Sequence, residues 1–118
     1  MPKVKLSIVF ETGARIGPEH AALLESVREV GSISAAARAI GIPYKRAWML
    51  LDSLNRAFKE PWSRPPRAAH AAAGATLTPF GADVLERYRR MLAATEAATV
   101  DDLALLTRAV LTKPVPKP

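Results

Sequence analysis

The sequence has no cysteine in its 118 residues, which excludes disulfides and thiolate metal sites. Its two histidines, His20 and His70, lie far apart and have no pattern of partners, so no metal site is expected. No apolar run approaches the roughly 18 residues needed to cross a bilayer. The opening MPKVKLSIVFETG alternates in polarity, unlike the unbroken apolar block of a signal peptide, and a cytoplasmic protein with no membrane contact is expected. There is no glycine-rich phosphate loop after a strand and no nucleophile elbow. Asp101 and Asp102 are adjacent, so they fall on different faces of a helix and make no catalytic pair. The expectation is a protein that is not an enzyme and carries no cofactor.

What is present points to one modest folded domain. Apolar residues make up 49% of the chain, too many for a disordered polymer. The formal net charge is +6, and it is unevenly spread. Between Arg38 and His70 stand seven basic residues: Arg38, Lys45, Arg46, Arg56, Lys59, Arg64 and Arg67. Only Asp52 and Glu60 oppose them, leaving +5 in that segment alone. A localised basic patch suits a polyanionic partner, while the plain alternative is a solvated basic surface.

Val4, Leu6, Ile8 and Phe10 alternate with polar residues, which predicts a leading strand broken by Thr12, Gly13 and Gly17. Pro18 is suited to a first helical position, and Leu23, Leu24, Val27 and Val30 follow helical spacing up to Gly31. Ser32 or Ser34 caps a second, short helix that ends near Ile40 and Gly41. Pro43 opens a third, with Ala47, Leu51, Leu54 and Phe58 on its buried face beside Leu50. Lys45, Met49, Asp52 and Arg56 point away from that face, with Tyr44, Trp48 and Asn55 on one flank and Arg46 on the other. A short strand near Trp62, an irregular loop and a return strand near residues 75–77 follow. Thr78 and Pro79 start a long helix striped by Val84, Leu85, Tyr88, Met91 and Leu92. Thr99 and Asp102 have capping-box spacing, so a break and restart through Leu103, Leu106 and Val110 is expected. The tail KPVPKP reads as disordered or extended.

The second and third helices, joined by Gly41 and Ile42, have the dimensions of a helix-turn-helix. Small alanines let the two helices approach closely, and the third presents Tyr44, Lys45 and Arg46 at the end that enters the DNA major groove in this motif. The fold class expected is mainly α with a small β component: a winged helix-turn-helix with a leading strand, a two-stranded wing and a long C-terminal dimerisation helix. The expected divisions are residues 1–78 for the DNA-binding domain, 79–112 for the dimerisation region and 113–118 for the disordered tail.

GSISAAARAIGIPYKRAW, followed by LTPFG, resembles the N-terminal domain of the molybdate-responsive ModE-type transcription regulators. It is more distantly similar to the LysR-type DNA-binding domain. The resemblance covers about residues 4–95. It implies a dimeric winged helix-turn-helix, with Ser34 at the start of the bracing helix and Tyr44, Lys45 and Trp48 on the reading helix. The sequence departs from the family in its wing, PPRAAHAAAGA, which is neither strongly basic nor glycine-rich. It also ends at Pro118, without room for the oxyanion-binding domains of full-length regulators, so no built-in oxyanion sensing and no small-molecule ligand is expected.

The DNA-binding candidates are therefore Ser34, Tyr44, Lys45, Arg46, Trp48, Met49, Arg56, Arg64 and Arg67. Lys45, Arg46 and Arg56 suit phosphates or guanines, and Met49 a thymine methyl. Tyr44 offers a hydroxyl to a phosphate, Trp48 packs with one edge near DNA, and Ser34 caps its helix or holds a phosphate there. Arg64 and Arg67 would supply wing contacts. The partner expected is double-stranded DNA, bound by a homodimer paired through Val84, Leu85, Tyr88, Met91 and Leu92. One alternative is a winged-helix adaptor for protein contact, which would display apolar or acidic groups on the third helix. Another is a structural or RNA-binding role, for which Trp62 is the candidate exposed aromatic.

Overall fold

The computed structural model describes residues 2–64 and 75–112. A β-hairpin comes first, β1 (Ile8–Val9) against β2 (Arg15–Ile16), in register Ile8↔Ile16. The leading strand expected across Val4 to Phe10 narrows to Ile8–Val9, one half of a two-residue ladder. Its partner is short and is reached by a turn in which Phe10 and Ala14 pair through the backbone at 2.8 Å. Helices α1 (Pro18–Val30), α2 (Ile33–Ile40) and α3 (Tyr44–Ala57) follow. Next come β3 (Ser63–Arg64) and β4 (Thr76–Leu77), antiparallel in register Ser63↔Leu77. The chain closes with α4 (Pro79–Ala98) and α5 (Val100–Ala109). This is a winged helix-turn-helix, mainly α with a small β component. Arg67 and the tail at 113–118 lie outside the described residues.

Helix ends obey local chemistry. The hydroxyl of Ser32 accepts the Ala35 N–H at 3.0 Å, so Ser32 is the cap of α2 and Ser34 stands exposed in its first turn. Gly41 adopts φ +75°, and the N–H groups of Gly41 and Ile42 close the end of α2 onto Arg38 and Ala37. Thr78 caps α4, accepting the Gly81 N–H at 3.0 Å and donating to the Pro61 carbonyl at 2.6 Å. The capping box expected at Thr99 does not form. Its hydroxyl instead donates back to the Thr95 carbonyl at 2.7 Å, and α5 restarts without a side-chain cap.

The core joins all these elements except α5. Leu23, Leu24 and Val27 of α1 meet Ala36 and Ala37 of α2 and Ala47, Leu51 and Leu54 of α3, all buried. An edge-to-face series of rings runs from Phe10 through Phe58 and Trp62 to Phe80, with centroids 4.9 to 5.8 Å apart. It ties the hairpin, the end of α3, the root of the wing and the start of α4 together. Trp62 is 1% exposed, so it is a core residue and offers no surface for stacking a base.

Helix α4 begins inside this core. Leu85 and Tyr88 are buried by the chain's own helices, and the Tyr88 hydroxyl donates to the Leu6 carbonyl at 2.6 Å. Ion pairs Arg28–Glu86 and Arg89–Glu25 fasten α4 to α1. A partner can therefore reach neither Leu85 nor Tyr88. Of the apolar stripe, Val84 and Leu92 are half-buried and Met91 is exposed. The reason is that α1 supplies an apolar wall and an acidic and basic rim on the same side of α4, which the stripe alone does not disclose. Helix α5 buries no residue and exposes Val100, Leu105 and Leu106, with Val110 exposed just past its end.

Candidate nucleic-acid interface

The first two turns of α3 carry large side chains that the core does not take up. Tyr44 is 56% exposed, Trp48 48% and Met49 55%, and Lys45 and Arg46 stand beside them. They are presented because Ala47, Leu51 and Leu54 turn the buried face of the helix onto α1 and α2, leaving the far side and both flanks of its first turns uncovered. The near absence of side chain on Ala36 and Ala37, both fully buried, allows that close seating. Trp48 was expected to pack against the core. About half of its surface is open to solvent instead. A concavity of about 440 Å³ is lined by Lys45, Arg46, Met49 and Ser53.

The other candidates are distributed around this patch. Ser34 is exposed in the first turn of α2. Arg56 is at the far end of α3, where Asp52 one turn earlier binds its Nε at 3.0 Å. Arg64 is exposed on β3. Lys45 and Arg64 form no ion pair among the described residues.

Three residues that the sequence analysis did not place among the DNA-binding candidates shape the patch. Asn55 of α3 holds the wing: its Oδ1 accepts the Trp62 N–H at 2.8 Å and the Ser63 N–H at 3.4 Å, and its Nδ2 donates to Ser63. Its amphipathic flank position was visible, but the backbone it serves was not. Glu19, the second residue of α1, binds Arg46 with one carboxylate oxygen, 2.8 Å from Nε and 2.6 Å from Nη2. His20 accepts the Gly17 N–H on Nδ1 at 3.1 Å, closing the start of α1. Burial holds His20 below its ordinary value, and the cations Arg15 and Arg46 push the same way, with Glu19 opposing. The imidazole is thus neutral, as an accepting Nδ1 requires.

Among the described residues no cluster of histidine and carboxylate groups could hold a metal ion, and no helix is long and apolar enough to cross a membrane. The architecture and the exposed basic end of α3 define the class: a winged helix-turn-helix of the DNA-binding type.

No family model matches the chain. It is 40% identical over 81 residues to the molybdenum-pterin-binding protein MopB of Rhodobacter capsulatus, covering 69% of this chain and 30% of that protein. It is 31% identical over 86 residues to the transcriptional regulator ModE of Yersinia pestis, covering 73% and 33%. With the molybdenum transport protein ModE of Azotobacter vinelandii it shares 28% over 87 residues, covering 74% and 32%. The resemblance to ModE-type proteins is thus confirmed over most of the chain, which spans about a third of the length of these relatives. Among solved structures, a crystal structure of a CbnR_DBD–DNA complex matches with a TM-score of 0.60 at 19% identity, covering 75% of this chain and 95% of that one. That likeness establishes the fold.

Proposed function

We propose that this chain is the DNA-binding part of a transcription regulator, reading the major groove with the N-terminal half of α3. The observation that carries the reading is the joint exposure of Tyr44, Lys45, Arg46, Trp48 and Met49 on a helix whose opposite face is locked into the core. A helix placed this way in a winged helix-turn-helix is free to enter the groove. Lys45 and Arg46 supply guanine or phosphate donors, Met49 an apolar contact, and Ser34 and Tyr44 hydroxyls for phosphates. Arg64, and Arg67 beyond the described residues, would touch the adjacent backbone from the wing. The printed names of the relatives, transcriptional regulator among them, and the DNA in the structural neighbour support this reading. Such a role places the protein in the cytoplasm, and none of it involves catalysis. The molybdenum chemistry named for the relatives is not carried over.

A homodimer completes the reading, because one reading helix covers only a few base pairs. The pairing surface proposed begins at Met91 and Leu92 on α4, past the turns that the core consumes. The decisive experiment titrates labelled duplex DNA at several salt concentrations. Replacing Lys45 and Arg46 together by alanine should weaken binding by roughly 2 to 4 kcal/mol. A folded double variant with unchanged affinity would overturn the assignment of α3.

A further inference from the structure

We propose that Glu19 is a positioning residue for base reading, gripping one edge of the Arg46 guanidinium and thereby aiming the other edge at the groove. The inference rests on the reading of α3 given above. Both contacts use a single oxygen, Oε1, against Nε and Nη2, so the acid holds the side edge of the guanidinium. Nη1 makes no hydrogen bond among the described residues. The end of the fork, whose rigid donors match the O6 and N7 of guanine, is thus free.

Two further features fit this role. Arg46 lies on the lip between two hollows. One, of about 220 Å³, also takes in Glu19, Arg15 and His20, and the other is the concavity with Lys45 and Met49. A small rotation of an untethered arginine there would send its charge to either side. Glu19 stands in the first turn of α1, where the helix N-terminus favours a carboxylate and where Leu23 and Leu24 anchor the helix. The grip is therefore made from a fixed point. An exposed pair of this kind adds little to stability: the two side chains are 58% and 38% exposed. A carboxylate close to DNA also repels phosphates. What it supplies is orientation, and orientation of an arginine appears as preference between sequences.

The test compares the wild type with Glu19→Ala, Glu19→Gln and Arg46→Ala. Preferred duplexes are first selected from a randomised pool with the wild-type protein. Affinities are then measured on the preferred duplex and on a shuffled one, with thermal melts to establish folding. Glu19→Ala should lower the ratio of preferred to shuffled binding by about tenfold, towards that of Arg46→Ala. Its affinity for the shuffled duplex should hold or rise. Glu19→Gln, which keeps an acceptor on the same stem, should recover part of the preference. An alanine variant that binds both duplexes more tightly with an unchanged ratio overturns the proposal, as does a glutamine variant as indifferent as the alanine one. A wild-type protein that binds no duplex would show earlier, before any variant, that the groove reading itself is wrong.

Discussion

Gly81→Ala is the sharpest probe of how the wing is held. Gly81 sits in the first turn of α4, and a methyl group built on it would lie 2.0 Å from the Trp62 carbonyl oxygen and 2.9 Å from its carbon. Ordinary contacts between such atoms are about 3.3 Å or longer, so α4 and the wing root must separate by more than about an ångström. The obstacle is backbone, which cannot swing aside as a long side chain can. Separation stretches the Thr78 N–H to Trp62 bond, now 3.1 Å, and the Thr78 hydroxyl bond to Pro61, now 2.6 Å. Overpacking costs about 1–3 kcal/mol, and each weakened bond about 0.5–1.5 kcal/mol. A total of about 2–6 kcal/mol follows, a large share of a small domain's stability. In urea, with a slope of roughly 1–3 kcal/mol per molar, the midpoint should fall by about 2 M. Gly41→Ala is the control: it meets open space and suffers only the strain of φ +75°, about 1–2 kcal/mol. If Gly81→Ala lowers the midpoint no further than Gly41→Ala does, the close approach of α4 to the wing is wrong.

Asn55→Ala should cost about 1–3 kcal/mol, because the Trp62 and Ser63 N–H groups lose their acceptor; an unshifted urea midpoint would show that water replaces it at no cost. His20 titrates below 6.5 in the fold but at about 6.5 in the unfolded chain, so acid protonates the unfolded state first. Stability should be flat above about pH 6.5 and decline below it, and His20→Gln, which keeps an acceptor for Gly17, should lessen that decline; identical pH profiles for the two proteins would refute the coupling. Arg64→Ala should reduce the salt slope of log K by about 0.9 and weaken every duplex alike; a loss confined to the preferred sequence would mean that the wing reads bases.

Periodicity disclosed the helices because the residues that define them, Leu23 to Val27 and Ala47 to Leu54, face a core on one side only. The wing strands were legible from the breaks around Trp62 and Thr78. What escaped lies in contacts between distant segments. β2 spans only Arg15–Ile16, too short for any alternation to register. Gly81 follows a helix-starting proline and reads locally as an ordinary helical position, while the carbonyl that forbids a side chain there belongs to Trp62. Leu85 and Tyr88 carry the spacing of a dimer seam, yet a stripe cannot say whose surface covers it, and α1 does. In the interface, the basic end of α3 was evident from charge. Glu19 was not, because a count of cations passes over the acid that holds one of them.

The Tyr88 hydroxyl bond to Leu6 joins residues separated by 82 positions, and the backbone bond from Ala75 to Gly31 and the seat of Gly81 on Trp62 are also made by late parts of the chain. The packing of α1, α2 and α3, by contrast, involves neighbours in sequence. Closing long loops is entropically slow, whereas sequential helices meet quickly. The three helices should therefore assemble first, with the hairpin, wing and α4 docking onto them afterwards. Folding kinetics would display this order: substitutions at Leu24, Ala37 and Leu51 should slow folding, while Tyr88→Phe should chiefly accelerate unfolding. The reverse pattern would place α4 in the nucleus.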